Sequence, residues 1–161
     1  MSKLKKIEPK SFKKYGKIID YGTKENKKNV RNLWRIVHNA ESENGWRIAY
    51  LILREKTISR LEKHLHSDET FEPIKGNAIL FVSKYKNSDK IECFILDKPI
   101  ILYKGIWHAV LKIDKECEIK ITENDKVSCE YWDLGFRANS LKQIQDKAVA
   151  GQKVFRFWRQ V

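Results

Sequence analysis

The stretch that decides the fold is Leu61-Glu62-Lys63-His64-Leu65-His66-Ser67-Asp68-Glu69-Thr70-Phe71-Glu72-Pro73-Ile74-Lys75-Gly76. The preceding residues, 57–61, alternate and are rich in β-branched side chains, which predicts a strand. Residues two apart on a strand point to the same face, so Glu62 and His64 converge. Pro73 and Gly76 predict a turn beyond the strand, and Glu69 lies where the chain begins to return.

A second, distant stretch has matching chemistry: Tyr103-Lys104-Gly105-Ile106-Trp107-His108. Gly105 permits a tight turn ahead of another strand, which would carry His108. Carboxylate oxygens and imidazole nitrogens that meet in one interior suit a divalent ion such as Mn, Fe, Ni or Zn. The sequence therefore predicts a metal site with four ligands: Glu62, His64, Glu69 and His108. Two alternatives stay open: Glu62 and His64 form a polar pair on an exposed sheet face, or Glu69 is a general base beside the ion.

The two stretches resemble the paired motifs of the cupins. The first cupin motif reads H-x-H, three or four residues, E, six residues, G, and the second includes G-x-x-H. In this chain Glu62 stands where the first motif begins with His, and the remaining positions fall in step: His64, Glu69, Gly76, Gly105 and His108. The resemblance implies an all-β cupin fold, a double-stranded β-helix or jelly-roll-like barrel.

More narrowly, three segments resemble the ureidoglycolate lyase family of cupins. Residues 12–19 are similar to its opening F-x-x-[FY]-G-x-[VI]-I, residues 61–73 to its M-E-R-H…F-x-P, and residues 105–108 to its G-V-W-H. The resemblance implies metal-assisted cleavage of ureidoglycolate, a small carboxylate, to glyoxylate and urea. The chain departs from the family at Glu69, where Gln is expected, and at Ala109-Val110, where a Pro is common.

One further side chain is predicted to serve the substrate. Arg60 has the same parity as Glu62 and His64, so it is expected to face the same interior, where a guanidinium can clamp a carboxylate at two points. Lys63 has the opposite parity and should face away. Arg60 and Glu69 are thus the predicted catalytic residues. The same ligands would also suit a metal-dependent sugar or hydroxy-acid isomerase, or a non-catalytic cupin that binds a small molecule.

The rest of the chain predicts a cupin domain over residues 1–136 and an extension over residues 137–161. Strand patterns separated by short polar turns recur from residue 33 to residue 132, as in a sandwich or barrel. Ser140 to Ala150 has helical periodicity, with Asn139 or Ser140 as the cap. An apolar cluster follows at residues 154–158. We expect this helical extension to pack on the barrel or on a subunit partner, in a homodimer.

Composition bounds the partners and the compartment. The 161 residues are 42% hydrophobic and 34% charged, which is typical of a globular domain. The net charge of +12 resides in the two ends, +7 over residues 1–28 and +5 over residues 137–161, so no basic groove across the fold is indicated and nucleic acid is not expected as a partner. No apolar run has the length of a membrane span or signal peptide. Cys93, Cys117 and Cys129 lie in strand-like runs and are expected to be buried thiols of a cytoplasmic protein.

Overall fold

The computed structural model describes residues 4–19, 45–140, 142–144 and 146. Eleven strands and one short helix lie within them. In chain order they are β1 Lys5–Lys6, α1 Pro9–Phe12, β2 Gly16–Ile18, β3 Trp46–Leu53, β4 Ile58–His64, β5 Glu69–Lys75, β6 Ala78–Ser83, β7 Glu92–Leu96, β8 Ile100–Leu102, β9 Trp107–Lys112, β10 Cys117–Asn124 and β11 Cys129–Ala138, with a 3-10 turn at Ser88–Lys90.

The strands form two sheets. One has six strands in the order β1-β7-β6-β9-β4-β11, and the other has five in the order β2-β8-β5-β10-β3. Neighbouring strands are antiparallel except for β1 and β7. These two sheets confirm the predicted all-β, jelly-roll-like fold. Strands that alternate apolar and polar residues form such sheets because they can bury one face between them.

Two apolar clusters lie on opposite faces of the six-stranded sheet. Within β6, Leu80 and Val82 belong to the cluster between the sheets, whereas Phe81 belongs to the second cluster. Leu61 of β4 packs in that second cluster, on the face opposite to Glu62 and His64. The six-stranded sheet is therefore apolar on both faces, and the predicted site residues replace apolar side chains at one end of the inner face.

The five-stranded sheet ends at β3, whose outer face is apolar and exposed. Trp46, Ile48, Tyr50 and Ile52 alternate along it and are 69%, 57%, 55% and 46% exposed. We call these four residues the β3 stripe. Their neighbours of opposite parity turn inward, with Leu53 buried and Leu51 packed against the core between the sheets. Because β3 pairs only with β10 among the described strands, its other edge has no described strand beside it.

Two local expectations were wrong. Pro73 does not mark a turn but lies inside β5, where the pairing with β10 shifts register between Glu118 and Ile119. Proline cannot donate to a strand ladder, and such an irregularity accommodates it. Cys93 and Cys117 are buried as expected, but Cys129 is exposed. Its strand β11 is the last in its sheet, so one of its edges lacks a neighbouring strand among those described.

The extension is described only at its start. The backbone N–H of Gln143 donates to Ser140 Oγ at 3.3 Å, and residues 142–144 and 146 are helical, so Ser140 caps this first turn. Ile144 is buried in the second apolar cluster. The remainder of the predicted helix, the apolar cluster at 154–158 and the predicted strand at 33–37 lie outside the described residues. Within the described part of the chain, no helix has the length and apolar character to cross a membrane.

Candidate metal centre

Backbone pairing brings the two sequence stretches together. β4 and β9 are adjacent and antiparallel, and Glu62 lies directly opposite His108. The tight turn before β9 is held to the end of β4, because the N–H of Gly105 donates to the carbonyl of His64 at 2.7 Å. Glu69 begins β5 in the facing sheet. The chain therefore reverses between His64 and Glu69 and places them on opposite walls of the same space.

The four predicted ligands converge. His108 Nε2 lies 2.8 Å from Glu69 Oε1 and 3.5 Å from Glu62 Oε1. His64 Nδ1 lies 3.7 Å from the same Glu69 oxygen, and the two imidazole rings are edge to face with centroids 5.3 Å apart. Ligand atoms of Glu62, His64 and His108 all lie within 4.8 Å of one another. The alternative of an exposed polar pair does not describe this arrangement, since both histidines and Glu69 are buried.

Two imidazole nitrogens face this space without a hydrogen-bond partner among the described residues. They are His64 Nδ1 and His108 Nε2. Glu69 Oε1 is close to His108 Nε2, but the pair lacks hydrogen-bond geometry, so the contact is electrostatic. On the other side of the ring, His108 Nδ1 lies 3.0 Å from the carbonyl of Ile106, which can only accept, so Nδ1 carries a proton. In the neutral ring Nε2 then has a free lone pair, as a metal ligand requires.

The field at this point attracts a cation. Burial lowers the pKa of His108, but the carboxylates of Glu69 and Glu62 outweigh that effect and raise the pKa from 6.5 to about 10. The Nε2–H of a protonated His108 would point to Glu62 and lowers the pKa of that carboxyl, against the opposing effect of burial. A proton or a metal ion can satisfy the same negative charge. The donors therefore fit a divalent ion: two imidazole nitrogens and carboxylate oxygens in a buried cluster.

A cavity of about 590 Å³ opens onto the cluster from solvent. Glu62 and His108 lie in its wall, and the Glu62 side chain is 43% exposed. Arg60 also lines this cavity, on the side that its parity predicts, but it is an exposed residue at the rim rather than a buried one. Its guanidinium stacks on the ring of Tyr131 at 4.7 Å. Lys63 faces away, paired with Glu130 at 2.7 Å.

The structure adds to the cluster a further carboxylate, that of Glu123, which the sequence did not predict. Glu123 Oε2 lies 3.5 Å from His64 Nδ1, and Glu123, His64 and Glu69 form a second group whose ligand atoms lie within 4.8 Å of one another. Residues 123–125 are all polar, so the sequence alone predicts a turn there, whereas β10 continues to Asn124. Arg47 of β3 lies directly opposite Glu123 and donates to it. The alternation of β10, extended by two residues, is the signal that would have found Glu123.

Comparisons with known proteins give matches only among solved structures. No protein-family profile and no curated protein sequence matches this chain. QdtA, a sugar 3,4-ketoisomerase from Thermoanaerobacterium thermosaccharolyticum, is similar at 15% identity over 65% of this chain and 73% of that one, with a TM-score of 0.41. The TDP-fucose-3,4-ketoisomerase WlaRA from Campylobacter jejuni is similar at 19% identity over 63% and 73%, with a TM-score of 0.40. Oxalate decarboxylase from Bacillus subtilis, which has Mn(II) centres, is similar at 17% identity over 56% and 24%, with a TM-score of 0.42.

Proposed function

We propose that this chain is a metal-dependent isomerase that moves a proton between adjacent carbons of a sugar or hydroxy acid. The observation that carries the proposal is the position of Glu62. Its carboxylate lies 3.5 Å from His108 Nε2, in the wall of a cavity large enough for a small polar metabolite, and it is more exposed than the other predicted ligands, which are buried. A carboxylate between an ion-binding cluster and a substrate cavity is placed for proton transfer.

His64, His108 and Glu69 would hold a divalent ion of the Mn, Fe, Ni or Zn type, and Glu62 lies beside them at the cavity side. When bound, the ion supplies Lewis-acid stabilisation of the negative charge that develops on a substrate oxygen. Glu62 accepts the proton from the hydroxyl-bearing carbon next to the substrate carbonyl and returns it to the carbonyl carbon, while the hydroxyl proton moves to the former carbonyl oxygen, so the carbonyl and hydroxyl groups exchange places and no proton is gained or lost overall. Arg60 at the rim binds a carboxylate or another anionic group of the substrate.

The roles of the other residues follow from their burial. Glu69 is sealed from solvent and keeps His108 oriented, with the Ile106 carbonyl fixing the tautomer from the far side of the ring. Leu51 and Leu53 line the cavity opposite β4 and give it an apolar wall. Such a wall lowers the local dielectric constant and strengthens the electrostatic interactions of the ion and of Arg60.

Solvent-exchange NMR tests the proposal without knowledge of the substrate. Protein loaded with Mn²⁺ or Zn²⁺ is incubated in D₂O with a panel of keto and aldo sugars and hydroxy acids. Because Glu62 is in contact with the cavity, its proton exchanges with solvent, and deuterium is expected at the carbon next to the carbonyl of a true substrate. Glu62→Gln should abolish exchange, whereas Glu118→Gln, a carboxylate on the outer face of β10, should not. Exchange that survives in Glu62→Gln would remove the proposed base.

A second candidate is the lyase that the sequence motifs imply, cleavage of ureidoglycolate to glyoxylate and urea. The observation that favours it is Arg60, which lines the cavity beside Glu62 and would suit the substrate carboxylate. In that reaction Glu62 or Glu69 would accept the hydroxyl proton as the carbonyl forms and the C–N bond breaks, and would return that proton to the departing nitrogen of urea. A urea assay on the metal-loaded protein separates the two candidates: urea release from ureidoglycolate supports the lyase, and its absence with every metal tested removes it.

A further inference from the structure

Glu123 has the features of a metal ligand although no motif includes it. Its side chain is 9% exposed. Arg47 Nε and Nη2 both donate to Oε1, at 3.0 and 2.9 Å, so that this oxygen is fully occupied. The other oxygen, Oε2, lies 3.5 Å from His64 Nδ1. The guanidinium thus fixes the plane of the carboxylate and leaves one oxygen for the interior.

His64 supplies a second, independent observation. Its side chain is 7% exposed, and Nδ1 has no hydrogen-bond partner among the described residues. The nearest carboxylate oxygens, Glu69 Oε1 at 3.7 Å and Glu123 Oε2 at 3.5 Å, are too far for a good hydrogen bond. Ligand atoms about 2.1 Å from a tetrahedrally bound ion lie about 3.4 Å apart. The observed separations therefore suit three ligands of one ion better than a hydrogen-bonded network.

Charge supports the same conclusion. Glu69 and Glu123 are two carboxylates on the neighbouring strands β5 and β10 of the five-stranded sheet, with ligand oxygens within 4.8 Å and little contact with solvent. Like charges at this distance in a buried site repel one another unless a cation lies between them. Arg47 is paired with Glu123 and is itself half exposed, and His108 Nε2 lies 2.8 Å from Glu69, so these neighbours offset part of the repulsion and a bound ion would offset the rest.

We infer that Glu123 is a ligand of the bound ion, in a set with His64 and Glu69, and that Arg47 is the positioning residue for its carboxylate. The inference rests on the proposed metal centre and goes beyond it, because it assigns the ion to the β10 side of the cluster. Two carboxylates and one imidazole favour a hard or borderline divalent cation of the Mn²⁺ or Fe²⁺ type. This set replaces the one proposed above: Glu62 is outside it and serves proton transfer, and His108 stays paired with Glu69 instead of binding the ion.

Titration of metal-free protein with Mn²⁺, followed by EPR and calorimetry, tests the assignment. Glu123→Gln is expected to weaken Mn²⁺ affinity by about 100-fold, and Arg47→Gln by about 10-fold, as loss of a ligand and of its partner would. Arg47→Lys should recover part of that loss. Glu62→Gln should change affinity by less than about 5-fold yet abolish solvent exchange. Glu118→Gln, on the same strand but with its carboxylate outside, is the matched control and should bind as wild type.

A purely structural role for Glu123 is separated from a ligand role by comparing thermal unfolding with and without Mn²⁺. If Glu123 only supported the fold, Glu123→Gln would lower the melting temperature of the metal-free protein. As a ligand, Glu123 should also determine how much Mn²⁺ raises the melting temperature, so Glu123→Gln should show a smaller increase on addition of Mn²⁺ than the wild type, whereas a purely structural residue would leave that increase unchanged. If the wild type binds Mn²⁺ and Glu123→Gln changes the affinity by less than about 3-fold, the inference about Glu123 is wrong, but the proposed metal centre is not contradicted. Failure of the wild type to bind Mn²⁺, Fe²⁺, Ni²⁺ or Zn²⁺ overturns both.

Discussion

The two motif glycines allow backbone strain to be separated from steric contact. Both have positive φ, +70° at Gly76 and +81° at Gly105. A Cβ at position 76 would lie 2.4 Å from the carbonyl oxygen of Glu116 and 3.3 Å from the Cα of Cys117, whereas a Cβ at position 105 would meet nothing within 4 Å. Alanine at either site would therefore have the strain of a left-handed backbone, but only alanine at position 76 would also make a steric clash.

The expected magnitudes follow from these contacts. A left-handed conformation costs an L-residue about 1–2 kcal/mol, which is the whole expectation for Gly105→Ala. Gly76→Ala bears the same cost and must also displace backbone at the start of β10, and overpacking of this kind costs about 1–3 kcal/mol more. The free energy of unfolding should fall by about 1–2 kcal/mol in Gly105→Ala and by about 2–5 kcal/mol in Gly76→Ala.

Urea unfolding in the presence of a chelator, followed by tryptophan fluorescence, measures both variants without a contribution from metal. The linear extrapolation gives the free energy of unfolding, and an unchanged m value shows that the native and denatured states remain comparable. Equal losses in the two variants, or a larger loss in Gly105→Ala, would show that the close approach of Gly76 to β10 does not constrain the fold.

Three further predictions concern the cluster and the surface. In metal-free protein, the raised pKa of His108 contributes stability that is complete below about pH 6.5 and is lost as pH rises through about 10. The difference in free energy of unfolding between wild type and Glu69→Gln, measured by urea titration, should therefore shrink over that range. A difference that grows with pH would contradict the pairing of His108 with Glu69. His64→Ala should reduce bound metal, measured by elemental analysis, to below about a tenth of an equivalent. His66 is exposed, so His66→Ala is the control and should retain the metal. Equal retention by both variants would exclude His64 as a ligand. We expect the β3 stripe to pair with a second copy, since an exposed apolar row beside a strand edge that no described strand covers is self-complementary under two-fold symmetry. Light scattering should then give a dimer for wild type and a monomer for Ile48→Lys, and a wild-type monomer would contradict this.

Much of the candidate site followed from short-range sequence rules. Alternation placed Glu62 and His64 on one face of a strand and Leu61 on the other, and the structure has both placements. The glycine before β9 was identified because a tight turn needs positive φ, and its N–H then binds the carbonyl of His64. These features depend on residues within a few positions of one another, where local geometry leaves few choices.

Short apolar and polar runs were less informative. The strand β5 was not predicted, because Pro73 suggested a turn, and only the register shift against β10 accommodates a proline there. Cys129 lies in a run with a strand pattern and was expected to be buried. Burial depends on what covers a strand, and not on the side chains of the strand itself. Neither outcome could be obtained from the residues alone.

The sequence by itself determined the β-rich fold and the chemistry of the centre, because alternation and the spacing of His and Glu are local properties of the chain. Only the tertiary structure decided which atoms meet. Glu123 lies 59 residues from His64 and pairs with Arg47 across the β10–β3 register, and no local pattern specifies that register. Two facing sheets bring these side chains together, since the packing of one sheet on the other fixes which inward-pointing residues share a space.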